Sequence, residues 1–124
     1  MYGPERLLHD LGEMGYGAER VTGADGNVYA VIRGFVVPVG RFADRVIDLG
    51  LLAPQDYPRN VGSSIHVRAT PQLLEYGYVA EVRNIIVSGL GPEWRYWSHN
   101  FGWGTGERST RRLISQVNSI FAHA

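Results

Sequence analysis

The chain of 124 residues contains no cysteine and no lysine. Without cysteine there is no disulfide, no thiol nucleophile and no zinc–thiolate centre. Its 12 basic residues, all arginine, are balanced by 12 acidic ones, so the formal net charge is zero. A general grip on nucleic acid needs a basic excess, and the total shows none. No apolar run approaches the ~20 residues of a membrane-spanning helix. The start, Met1 to Arg6, lacks the apolar core of a signal peptide. A soluble, cytoplasmic protein is expected, with no membrane and no nucleic-acid partner. Apolar residues make up 44% and charged residues 19%, a globular balance. The length suits a single domain, 1–124, that can bury a core without crosslinks.

The residues that are present alternate between helix and strand signals. Leu7, Leu8, Leu11 and Met14 follow helical spacing after Pro4, and Gly15-Tyr16-Gly17 stops them. This predicts a helix over 4–14 with its stripe facing a core. Ala18 to Thr22 reads as a short strand, Gly23 to Asn27 as a hairpin turn, and Val28 to Val37 as a long strand with a bulge at Gly34. A third strand is expected over Ala43 to Leu52 and a fourth over Ser63 to Ala69. In the fourth, Ile65 and Val67 share one face, and Ser64, His66 and Arg68 share the other. Residues 71–106 read as irregular, with a strand only at Asn84 to Val87. Trp94, Tyr96, Trp97, Phe101 and Trp103 crowd into this stretch. Ser109 to Phe121 is the best helix, with Leu113, Val117, Ile120 and Phe121 on one face and a cap at Thr105 or Gly106. The fold class is therefore α+β: a helix, a four-stranded antiparallel meander, an irregular aromatic-rich segment, and a C-terminal helix packed on the sheet.

This order, with Tyr57-Pro58 just before the fourth strand, resembles the ubiquitin-conjugating (UBC, or E2) fold. The stretch Tyr29 to Pro38 (YAVIRGFVVP), Asp56-Tyr57-Pro58 and Trp94-Arg95-Tyr96-Trp97-Ser98-His99 resemble prokaryotic E2 family E. The resemblance covers about residues 18–121. It implies a two-layer UBC-like fold and a place in a bacterial ubiquitin-like system. The neighbours there are a ubiquitin-like protein, an activating enzyme and a JAB-type metalloprotease. It also exposes departures. The His-Pro-Asn motif that precedes the catalytic cysteine of active members is missing, with Thr70-Pro71-Gln72 as its nearest relic, and no cysteine follows. Only one long helix follows the sheet. The resemblance thus implies a non-catalytic subunit that binds the ubiquitin-like protein or its activating or conjugating enzyme. The alternative it leaves is a cysteine-independent enzyme that forms an oxyester through serine. The absence of lysine fits an arginine-biased genome. It also fits avoidance of acceptor lysines beside a lysine-modifying machine.

Thioester transfer needs a thiolate. Ser88 lies where that cysteine would fall, and it reads as a strand-end serine or as an oxyester nucleophile. Ser98 and His99 are the other suggestive pair. Adjacent residues rarely aim at one another, so His99 reads as a structural residue beside packed tryptophans. No catalytic residue is therefore expected, with Ser88, Ser98 and His99 the only candidates. His9, His66, His99 and His123 lack ligand spacing, so no metal is expected. Gly102 to Gly106 resembles a phosphate-cradling loop but lacks the lysine of one, so no cofactor is expected. Trp94, Arg95 and Trp97 are the residues expected to contact a partner protein, being of the types that anchor interfaces.

Overall fold

The computed structural model describes residues 1–62, 64–79 and 83–124, with the backbone alone at positions 79 and 83. The first expected strand residue of the fourth strand, at position 63, lies outside them. Helix α1 (Gly3–Glu13) is followed by strands β1 (Ala18–Thr22), β2 (Val28–Val36), β3 (Val46–Leu52), β4 (Ser64–Arg68), β5 (Gly77–Val79), β6 (Arg83–Ser88) and β7 (Gly91–Ser98), and then by helix α2 (Thr110–His123). The seven strands form one antiparallel sheet in the order β1-β2-β3-β4-β7-β6-β5. The α+β class and the meander β1–β4 match the sequence reading. The strand number does not, because β7 pairs with β4 and carries β6 and β5 outward to a new edge.

Both helices lie on one face of this sheet. Leu7 and Leu11 of α1 and Leu113, Val117, Ile120 and Phe121 of α2 join Ile32, Phe35, Leu49, Ile65, Val67, Ile85 and Trp97 in the main core. Period-two alternation sends every second strand residue to this face, and each such large apolar side chain contributes roughly 1.5–3 kcal/mol on burial. The opposite, open face carries a smaller cluster of Tyr29, Val31 and Trp94, with Val21, Leu52 and Leu90 against it. A polar relay ties the helix layer together: the buried Tyr57 hydroxyl stands 2.5 Å from Thr110 Oγ1, which donates to Asp10 Oδ2 at 2.7 Å, and Arg6 holds the same carboxylate at 2.8 Å.

Three local expectations are corrected. The third strand begins at Val46, not Ala43, because residues 41–44 form a turn in which Asp44 adopts φ 72°, a left-handed conformation that breaks a strand at a non-glycine residue. The aromatic-rich segment is strand β7 over Trp94 to Trp97, not irregular chain. Trp94 faces the open-face cluster and Trp97 the helix core, so aromatics on both faces erased the alternation that marks a half-exposed strand. The cap of α2 is Ser109, whose Oγ accepts from Arg112 N at 3.2 Å, rather than Thr105 or Gly106. The bulge at Gly34 is present, as a register shift between Ile32 and Phe35 with Gly34 at φ 71°. Among the described residues no helix is long and apolar enough to cross a membrane.

Candidate functional site

The open face holds a cleft of about 300 Å³ lined by Asp25, Tyr29, His66, Ile86, Gly89 and Tyr96, among others. Its geometry follows from register. His66 on β4 sits opposite Tyr96 on β7, which sits opposite Ile86 on β6. A shift between Val87 and Ser88 then moves the β6–β7 register, so that Ser88 pairs with Gly91 across the turn. On the other side of His66 lies Gly50 of β3. A side chain at Gly50 would strike Leu90, so this glycine leaves room for the turn after Ser88 to fold inward.

That packing brings His66 and Ser88 together. His66 Nδ1 lies 2.7 Å from Ser88 Oγ, and Ser88 Oγ accepts the Leu90 backbone N–H at 3.0 Å. The serine oxygen keeps a second lone pair and its own hydrogen, so either atom can donate; with Nε2 protonated in a neutral ring, the serine hydroxyl donates to Nδ1. Burial supports the neutral form. His66 is 5% exposed, and burial holds its pKa down to about 4, with the Asp25 charge opposing in part. The ring is wedged edge-on between Tyr29 and Tyr96, at centroid separations of 4.9 and 5.3 Å.

A second polar pair closes the cleft. Tyr29 donates its hydroxyl to Asp25 Oδ2 at 2.7 Å, and Asn27 donates to both carboxylate oxygens at 3.0 Å. Burial pushes the Asp25 carboxyl up, but these bonds together outweigh it, so its pKa lies below the usual carboxylate range. Tyr29 is raised by burial and by its bond to Asp25. The Asp25 backbone N–H also donates to Gly89 O at 3.0 Å, latching the β1–β2 turn onto the β6–β7 turn.

Chemically, the cleft presents a serine hydroxyl hydrogen-bonded to a neutral imidazole. Among the described residues no carboxylate bonds that imidazole, since Asp25 is committed to Tyr29 and Asn27. Among the described residues, then, the pair has no third member of a triad. Among the described residues no group of three His, Asp or Glu stands close enough to hold a metal ion.

The other sequence candidates fall elsewhere. Ser98 closes β7 opposite Ser64. The His99 ring packs edge-on against Phe101 at 5.3 Å, and its backbone N–H donates to Ser64 Oγ at 3.0 Å. The glycine-rich loop at 102–106 is filled from within: Arg112 donates to Gly102 O at 2.9 Å and to Glu107 O at 2.7 Å while lying over the Trp103 ring. Trp97 is fully buried and Trp94 nearly so, which leaves neither ring free to anchor a partner. Arg95 lies over Tyr76 and reaches Glu75 at 3.7 Å. The exposed aromatics nearby are Tyr76 and Tyr78. On the open face Arg33 and Arg68 pair with Glu19, Asp48 and Glu93 in a row across five strands.

His66 is the site residue that sequence reasoning weighed only as a metal ligand. It shares the face opposite Ile65 and Val67 with Ser64 and Arg68, and there Ser64 and His66 are both buried. The signal for a covered face was Gly50, Gly89 and Tyr29, and it becomes readable only once β6 and β7 are known to join the sheet. The family described as Prokaryotic E2 family E has a model that matches residues 4–124. No curated protein and no solved structure matches the chain.

Proposed function

Since the chain belongs to prokaryotic E2 family E, we propose that it serves a bacterial ubiquitin-like conjugation pathway as a non-catalytic subunit of the conjugating fold. It binds and positions the activating enzyme, a conjugating enzyme or the ubiquitin-like protein. The observation that carries this reading is chemical: a chain matched by its family over residues 4–124 has no sulfur nucleophile anywhere. A thioester is formed easily and attacked easily by amines, because thiolate is both a good nucleophile and a good leaving group. A serine in that place gives an oxyester, which resists amines and would trap the tag rather than pass it on. What remains to such a fold is affinity and orientation. The test is sizing and pull-down with a ubiquitin-like protein and the activating and conjugating enzymes of such a pathway. A complex at micromolar concentration is expected with at least one. Its absence with all of them ends this reading.

One observation favours a second reading, that of a cysteine-independent enzyme: the 2.7 Å bond between His66 Nδ1 and Ser88 Oγ. In that chemistry Ser88 Oγ attacks the carbonyl of a thioester, its proton passes to His66, and His66 returns it to the departing thiolate. Among the described residues no carboxylate stands behind His66, which makes this the weaker reading. It requires a hydroxide-sensitive adduct that disappears in Ser88→Ala and in His66→Phe.

A further inference from the structure

The two edges of the sheet differ in a way that bears on binding. Edge strand β1 carries Glu19 and Arg20, the charged residues that blunt an edge against pairing. Edge strand β5, Gly77-Tyr78-Val79, carries no charge at all. Beside it runs a groove of about 420 Å³ lined by Tyr76, Gly77, Tyr78, Asn84, Ile85, Ile86 and Val87, none of them charged. Ile85 at its floor is buried, while Tyr78 is 75% exposed and Val87 72%. A sheet edge of this kind is a template for another strand, and the apolar groove beside it is a pocket for alternate side chains.

We propose that β5 and its groove receive an extended, uncharged segment of a partner protein, which adds to the sheet as a further strand. This deepens the binding-subunit reading by naming the surface and the chemistry of what it holds. The size of the site selects the occupant. A stable dimer with a second copy, or docking of a folded domain, engages about 20–30 residues a side. The groove and edge offer eight. That is too few for a globular face but fits a short strand, which gains backbone hydrogen bonds along the edge and buries every second side chain in the groove. Discrimination comes from the groove's lack of charge: an Asp, Glu, Lys or Arg at an inserted position would be desolvated without a partner.

The experiment selects short random peptides displayed on phage against the full chain and titrates the best one calorimetrically. The selected peptide is expected to alternate apolar residues and to slow amide exchange over residues 77–79. Its binding is expected to weaken roughly tenfold or more in Tyr78→Asp and in Val87→Asp. Val46→Asp, at an exposed valine elsewhere on the sheet, is expected to bind normally and so controls for folding. Methylation of the peptide's edge-facing amides is expected to abolish binding. The proposal is overturned if no peptide is selected, if Tyr78→Asp binds unchanged, or if the methylated peptide binds as well. It is also overturned if the free chain dimerises through this edge, as shown by sedimentation that Tyr78→Asp reverses. Complexes with pathway proteins that persist in Tyr78→Asp would remove this surface and leave the binding-subunit reading intact. Peptide binding without any such complex would do the reverse.

Discussion

Acidification should destabilise this protein through one imidazole. His66 has a pKa of about 4 in the folded chain against an ordinary 6.5, chiefly because burial disfavours its charged form. The folded value is depressed, so the stabilisation is complete above the unfolded value and drains away as pH falls from 6.5 toward 4. Over that window the unfolded chain binds a proton that the folded chain refuses. At roughly 1.4 kcal/mol per unit the full window is worth about 3 kcal/mol, and the fall from pH 7 to pH 5 about 2 kcal/mol. Asp25, Tyr29 and Tyr96 face the ring, and of these only Asp25 is charged in the range, where it partly offsets the burial. Urea unfolding at a series of pH values reads the effect. His66→Phe keeps a ring between Tyr29 and Tyr96 but cannot titrate. Carboxylates titrate alike in both proteins, so the difference between their curves isolates His66. The wild type should lose about 2 kcal/mol relative to the variant between pH 7 and pH 5. Curves that stay parallel over that range would refute a buried, neutral His66.

Three further outcomes test the packing that builds the site. Gly89→Ala places a methyl group against Asp25 and Tyr29, and it should cost about 1–3 kcal/mol in urea unfolding while loosening the β1–β2 turn in amide exchange. Tyr57→Phe removes the hydroxyl that meets Thr110 in a buried relay and should cost about 1 kcal/mol; a neutral result would mean the relay contributes nothing. Ser109→Ala deletes the side-chain cap of α2 and should cost about 1 kcal/mol, whereas Thr105→Ala should cost far less.

The first half of the chain was legible because its signals are local. Asp25-Gly26 makes a hairpin turn, Gly34 marks the bulge, and β2 is dense in branched and aromatic residues. The helix stripes at Leu7–Leu11 and Leu113–Phe121 needed only their spacing. The second half hid its order for a physical reason. β7 buries Trp94 on one face of the sheet and Trp97 on the other, so it shows no alternation, and β5 is three residues long. The site shared that fate. His66 and Ser88 are 22 positions apart and come together only through β7, which lies between their strands. A reader who does not see β7 join the sheet has no reason to place a base beside Ser88. Burial of the tryptophans likewise depends on α2 and on the β6–β7 turn closing over them, which no local pattern announces.

The deciding property of this polypeptide is whether it ever carries its pathway's tag covalently. The direct measurement is intact mass of the purified chain after incubation with the ubiquitin-like protein, its activating enzyme and ATP, with sizing of the same mixture. An unchanged mass alongside a non-covalent complex is the predicted result. A chain heavier by one ubiquitin-like protein, released by hydroxide and absent in Ser88→Ala, would contradict it.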